Sequence, residues 1–397
     1  MRSSLMPRGY RWLVAAALVM SLGACSTMKG WFEFDDEDDP KQPAELTDIE
    51  DTVEIDKLWS QGVGDGQGAG FYKIQPVISG STIYVAAADG TLEAFDKLTG
   101  KSLWDVELEF PLAGGVGVYA DALFVGSSDG FVIKVDASSG EVLWSTRLSG
   151  EVMSVPQSNG AMVIAHSLDG KLQALDFATG EVVWTYDSTV PALTLRGSGS
   201  PLVSGDTVFV GFANGRVLAF DIATGSISWE ARIAIPQGRS EIERVVDIDG
   251  TMTLEGDELF VASYQGRIAA LNVSDGSKLW QQDVSSFSGV SQGFNNVYVA
   301  DEDGTVYAYQ RSGQGERWQQ PALAYRGISR PTPVGSYLAV GDKEGYVHIL
   351  SQVDGEFAGR IEADDAGVRA DMLSEENILY VYGNSGDLIA YEIKPKD

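Results

Sequence analysis

A single cysteine, Cys25, occurs in 397 residues, so no disulfide can form within the chain and packing alone must hold the fold. Histidine is nearly as scarce. His166 and His348 are the only two, and each falls inside a strand-like run of a different repeat, where a strand role outweighs that of ligand or base. Positive charge is outnumbered, with 28 Lys and Arg against 57 Asp and Glu, for a formal charge of −29. That imbalance repels phosphate backbones and anionic lipid surfaces, which argues against nucleic acid as a partner. Long apolar runs are missing as well: residues 13–20 are too few to span a bilayer as a permanent helix.

Those eight residues belong to an export signal. Arg2, Arg8 and Arg11 precede the apolar run, and the small residues Gly23 and Ala24 follow it. Leu22-Gly23-Ala24-Cys25 resembles a bacterial lipobox, which implies that residues 1–24 are removed and that Cys25 becomes an acylated N-terminus. Proteins of this kind carry several acyl chains, enough for stable anchoring where one chain binds only reversibly. Ser26 rather than Asp follows the cysteine, which by the sorting pattern of such lipoproteins implies the periplasmic face of the outer membrane. Residues 25–52 then form the lipidated Cys and an acidic tether. The run EFDDEDD at 33–39, with Glu45, Asp48, Glu50 and Asp51, cannot bury a core and is expected to stay solvated as a spacer. No metal role is assigned to it.

From residue 53 to 397 the chain repeats one pattern eight times. Residues 208–229, VFVGFANGRVLAFDIATGSISW, spell it most fully. Two alternating runs flank Asn214-Gly215, Asp221-x-x-Thr224-Gly225 follows, and a short strand ends in Trp229. Asn-Gly and Asp-Gly predict a two-residue type I′ hairpin. Alternation predicts that one face of each strand enters a core. An Asp before Thr-Gly can bond its own turn, with Gly in the left-handed position. The turn glycines are Gly90, Gly130, Gly170, Gly215, Gly266, Gly304, Gly345 and Gly386, spaced by 38 to 51 residues. Tryptophans close the first six repeats, at Trp104, Trp144, Trp184, Trp229, Trp280 and Trp318. Repeat seven has none, although Phe357 and Arg360 lie nearby, and repeat eight stops after its third strand. The displaced Lys57-Leu58-Trp59 supplies the missing piece. A period near 40 with four strands per unit predicts an all-β, eight-bladed β-propeller of four-stranded antiparallel blades, its ring closed by the N-terminal strand at 53–60.

Most connections from one Trp to the next hairpin take about 19 residues, but three are longer: Trp59 to Ile83 takes 24 through a glycine-rich stretch that says nothing of function, Trp184 to Val208 takes 24 and Trp229 to Leu259 takes 30. Insertions in repeat proteins map to loops on one face, often the binding face. In an up-down blade these connections share a face with the Asp-Gly turns, so the two insertions are expected side by side.

The spacing Ala174-x-Asp176-x-x-Thr179-Gly180-x-x-x-Trp184 resembles the repeats of pyrroloquinoline-quinone enzymes. Those dehydrogenases hold the quinone with an adjacent Cys-Cys pair, a calcium ion and a catalytic Asp; here the sole cysteine lies at the anchor, so no cofactor is expected. Asp301-Glu302-Asp303-Gly304 occupies a hairpin slot, with Gly too early for a calcium loop. No metal site and no catalytic set is expected. Lipobox, acidic stretch and eight repeats together resemble the BamB family of outer-membrane assembly lipoproteins. Pro191-Ala192-Leu193-Thr194-Leu195-Arg196-Gly197, Glu241-Ile242-Glu243-Arg244 and Asp247-Ile248-Asp249 carry the resemblance most specifically. It implies a non-enzymatic scaffold of the Bam complex in which Leu193, Leu195, Arg196, Asp247 and Asp249 contact the periplasmic POTRA domains of BamA. Such a scaffold helps unfolded outer-membrane proteins fold and insert. Two alternatives compete. The same residues can serve the fold, with Arg196 paired to Asp247 or Asp249; or the blade edges can capture unfolded barrel strands by β-augmentation, as a holdase does.

Overall fold

A computed structural model describes residues 41–68, 70, 72–195 and 199–396. Cys25, the acidic run at 33–39 and Arg196 lie outside the described residues. The compact unit is Pro43–Asp397, so it starts before the boundary expected at 53. Eight antiparallel sheets of four strands form the blades of a propeller. Blade 1 comprises Val77–Ser79, Thr82–Ala86, Thr91–Asp96 and Ser102–Glu107. The later blades repeat that order. The short first strands neighbour one another around the ring and are therefore innermost. Blade 8 takes its outer strand, Val53–Gly62, from the N-terminal side, paired antiparallel to Asp387–Pro395. The ring closes as the displaced Trp59 predicts.

Two local expectations need correction. The hairpin strands do not have one buried face and one wet face: in Ala122–Gly126 every residue is buried. Blades pack face to face, so only the outer strands alternate, as in Val182–Asp187. The hairpin turn is also not type I′. In blade 1, Gly90 N donates to Ala87 O at 3.1 Å and Ala87 N to Thr91 O at 2.8 Å. Gly90 has φ +107° while Asp89 does not enter the left-handed region. The loop is three residues long, a type I turn followed by glycine in a bulge. By contrast, the Asp-x-x-Thr-Gly turn forms as expected: Asp96 Oδ1 accepts Thr99 N at 2.9 Å and Thr99 Oγ1 at 2.7 Å.

That second turn also binds the neighbouring blade. Each outer strand has a bulge at the residue before its Trp, or before Gly359 in blade 7: Ala94 pairs with Trp104 but Phe95 with Ser102, leaving Leu103 unpaired. A bulge re-aims the side chains beside it, and here the indole turns toward the next blade. Trp59 Nε1 donates to Lys97 O at 3.0 Å, Trp104 Nε1 to Ala137 O at 3.0 Å and Trp144 Nε1 to Phe177 O at 3.1 Å. The same bond recurs at Trp184, Trp229, Trp280 and Trp318. The ring lies against the turn glycine of the receiving blade. At Gly100, with φ +67°, a Cβ would stand 2.6 Å from the Trp59 ring. The glycine thus serves both the left-handed backbone and the room for the indole.

The missing Trp of repeat seven follows from this arrangement. A Trp needs a turn between the third and fourth strands of the next blade, and blade 8 has none because its fourth strand arrives from the other end of the chain. Gly359 stands opposite Ile349 where the other blades carry Trp. A Cβ at Gly359 would come within 2.6 Å of Val53, so the closing strand itself fills the space. Trp59, which is 8% exposed and packs beside Tyr380 and Phe95, docks blade 8 onto blade 1. Trp59→Ala is expected to cost about 3–5 kcal/mol in urea unfolding; an unchanged midpoint would show that this strand does not close the ring.

Candidate functional site

The two insertions meet on the face of the glycine turns, as the strand order requires. Ile233 N donates to Gly215 O at 2.9 Å, so the connection leaving blade 4 folds back onto the hairpin turn of the same blade. The first insertion, 188–201, joins blades 3 and 4; the second, 233–252, joins blades 4 and 5. Their backbones touch: a Cβ at Gly199 would lie 2.5 Å from Ile248 O. Asn214 Nδ2 ties the turn of blade 4 to Ser188 Oγ at 3.3 Å.

The sharpest contact between them is Leu195 N donating to Asp247 Oδ2 at 3.1 Å. Asp247 is 1% exposed, so it is a brace between the loops rather than a carboxylate offered to solvent. Its own backbone is held as well, Tyr264 N donating to Asp247 O at 2.8 Å. Asp249, two residues on, is half-buried. Burial pushes the Asp247 carboxyl up to about 6. Burial and the adjacent Asp247 charge push Asp249 well above the usual carboxylate range.

His166, in the hairpin of blade 3, backs the same corner. Its Nδ1 lies 3.0 Å from Gly199 O, which can only accept, so that nitrogen carries the hydrogen. Burial lowers its pKa. A cavity of about 20 Å³ lies between His166, Ser188, Thr194, Phe212, Asp247 and Asp249, room for about one water molecule. It has no space for an organic cofactor.

The outer surface of the corner carries four exposed apolar side chains among charged and polar neighbours such as Arg239, Glu241 and Arg244. Leu193 is 45% exposed and Ile242 70% exposed, with Val190 and Ile235 also out in solvent. Ile242 stands on a single 3₁₀ turn, Ile242–Arg244, stapled from both sides. The Glu243 carboxylate accepts Arg239 N at 2.6 Å and Ser240 N at 3.0 Å, and Gln265 Nε2 donates to Ile242 O at 3.2 Å. Leu195 is half-buried beneath. Of the five contact residues expected from sequence, Leu193 is exposed, Leu195 and Asp249 are partly covered, Asp247 is buried, and Arg196 lies outside the described residues. Ile235 and Ile242 were not among them. The signal that would have found them is an isoleucine flanked by charged or loop-forming residues inside an insertion.

Comparison with known proteins gives the family. The family model described as outer membrane protein assembly factor BamB matches residues 56–108 and 88–320. The chain belongs to the BamB family. The outer membrane protein assembly factor BamB of Pseudomonas aeruginosa is 53% identical over 352 residues, covering 89% of this chain and 93% of that one. Its counterpart from Marinobacter adhaerens is 44% identical over 399 residues, covering 100% and 99%. Among solved structures, BamB from Moraxella catarrhalis superposes with a TM-score of 0.79 at 27% identity, over 85% of this chain and 100% of that one. A quinohemoprotein alcohol dehydrogenase from Comamonas testosteroni superposes at 0.69 with 14% identity, over 85% and 76%. That likeness is one of fold alone.

The carboxyl pair gives the corner a pH signature. A carboxyl with a higher pKa folded than unfolded binds more protons in the folded state. Its stabilising contribution is therefore full below the ordinary value of 3.8 and declines as pH rises to about 6. Asp247→Asn keeps an acceptor for Leu195 N and removes the titration. Relative to wild type, this variant should gain on the order of 1–3 kcal/mol between pH 4 and 7. Parallel pH curves for the two proteins would show that Asp247 does not titrate in this window.

Proposed function

We propose that the chain is a non-enzymatic lipoprotein scaffold of the outer-membrane β-barrel assembly machinery. It docks through the corner formed by the two insertions onto the periplasmic POTRA domains of BamA. In doing so it assists the folding and insertion of β-barrel proteins. Membership in the BamB family supports the role in the Bam complex, and relatives named as assembly factors support a protein that catalyses no reaction. The bond from Leu195 N to Asp247 Oδ2 carries the proposal furthest. It joins two loops from adjacent connections, on which Leu193, Ile235 and Ile242 are exposed. Apolar anchors beside an arginine are the residue types that concentrate binding energy at interfaces, and Arg196 follows Leu195 directly in the sequence.

Strand capture at the blade edges gains less support. A bulge beside every outer tryptophan position interrupts the pairing that an added strand would have to continue. A holdase of that kind binds unstructured peptides, whereas a scaffold binds one folded partner. Leu193→Asp is expected to reduce BamA co-purification at least about tenfold, a loss of roughly 1.4 kcal/mol or more, while the melting temperature hardly moves. Asp247→Ala should weaken recovery too, by loosening both loops, and without the salt dependence of an exposed charge. Asp129→Ala, in the exposed hairpin turn of blade 2, should bind normally. A folded Leu193→Asp protein that still recovers BamA would put the site elsewhere.

The anchor is the other half of the reading: acylation at Cys25 holds the ring at the periplasmic face of the outer membrane. A radiolabelled fatty acid should enter the wild type and not Cys25→Ala, and an unlabelled wild type would contradict the anchor.

A further inference from the structure

The segment before the closing strand is seated on blade 7 by a partly buried ionic network that no other blade repeats among the described residues. Arg326, 2% exposed, lies in the connection from blade 6 to blade 7. Its Nε donates to Asp342 Oδ2 at 2.7 Å, and Nη2 pairs with Glu344. Its Nη1 donates to the carbonyl of Ala44 at 2.9 Å. Asp342 Oδ2 also lies 2.9 Å from His348 Nε2, while Arg360 Nε donates to His348 Nδ1 at 3.0 Å. An arginine can only donate, so Nδ1 accepts, Nε2 carries the hydrogen, and His348 is neutral. Arg360 then spends its Nη1 on the carbonyl of Thr47 at 3.0 Å. Two guanidinium groups held in place by blade 7 are thus completed by backbone carbonyls of the leader. Without the leader, the buried Arg326 would lose a partner at Nη1, and the more exposed Arg360 would turn that donor to water.

Other contacts extend the seat along the whole height of the blade. Ala44 N donates to Ala324 O at 2.8 Å, on the same face as the two insertions. Leu46 packs on the apolar cluster of Trp318, Leu323 and Ile328. Thr52 N donates to Ala358 O at 2.8 Å, at the start of the outer strand Phe357–Glu362 and hence at the opposite face. Residues 44–52 therefore run down the outside of blade 7 from one face to the other. The closing strand begins at the far face, and a leader without this strap would leave the ring there.

We propose that the outer wall of blade 7 is a docking site for residues 44–52. Its role is to return the anchored leader to the face of the long loops, so that membrane attachment and partner docking share one face of the ring. Blade 7 stands across the ring from blade 3, where the first insertion begins. The strap thus brings the chain to that face at Ala44, across the ring from the first insertion. It also gives repeat seven a reason to carry Arg360 and His348 in its outer half, where the docked tryptophan of other blades has no counterpart.

The proposal rests on the lipid-anchor reading of Cys25 and on the insertion corner as the partner surface, and its test separates these. Amide exchange on the full acylated protein should show Ala44 and Thr52 protected. Leu46→Asp, a change on the strap itself, should release both with the ring's melting temperature unchanged, and Arg360→Gln should release them in part. Fast exchange of both amides in the wild type would overturn the docking. For orientation, a donor dye is placed through Asp129→Cys on the insertion face or Ser138→Cys on the opposite face. Energy transfer is then read to acceptor-labelled lipid in phosphatidylethanolamine–phosphatidylglycerol vesicles. Transfer from position 129 should exceed that from 138, and Leu46→Asp should abolish the difference. Equal transfer from both positions, or a difference that survives Leu46→Asp, would overturn the shared face. Protein that never enters the vesicles contradicts the anchor alone, and amide exchange still decides the docking.

Discussion

Every seam but one in this ring depends on an indole that crosses from one blade to the turn of the next. The interaction has three parts that need each other: the bulge that aims the ring, the carbonyl that receives Nε1–H, and the glycine that leaves room for the six-membered ring. Each part is local to a repeat, yet the contact joins two repeats, so a blade contributes an indole on one side and a receiving turn on the other. A buried Trp carries a large apolar surface, and its one polar atom must find an acceptor. The turn carbonyl is the acceptor nearest the wall of the adjoining blade. A linear array with such contacts would leave an unmatched indole at one end and an unmatched turn at the other. Closing the ring with Val53–Gly62 brings Trp59 to the turn at Gly100.

The seam between blades 7 and 8 is the exception, because the chain is discontinuous there. A blade made from two ends has no turn to receive an indole, and the molecule solves the seam differently. Gly359 admits Val53, and an ionic network reaches the leader. The same discontinuity that removes a tryptophan therefore creates the place where the leader is held. Buried ion pairs are costly to desolvate, which explains why such a network appears at the one seam with other work to do.

The eightfold repetition, the closing strand and the joint location of the insertions were all legible in the sequence, because each rests on spacing within one repeat. The hairpin type was not. Asp89-Gly90 reads as a two-residue turn, and only the bond from Ala87 N to Thr91 O assigns three residues to the loop. Asp247 was read as a surface contact for a partner, but it is buried and accepts a bond from Leu195, 52 positions earlier in the chain. Arg326 and Arg360 gave no sign of their role in holding the leader. Their meaning comes from Ala44 and Thr47, about 280 to 310 residues away in sequence. Sequence pattern reports what a residue does inside its repeat; contacts between distant insertions, or between a leader and the last blades, carry no period.

The central claim is that the two insertions form one partner surface, with Leu193 at its centre. A photoreactive amino acid at position 193, activated in intact envelopes, tests it most directly. The account predicts one dominant adduct, with BamA through its POTRA domains, and none when the same group replaces Asp129. Absence of that adduct at 193, or a ladder of adducts with many unrelated envelope proteins, would contradict it.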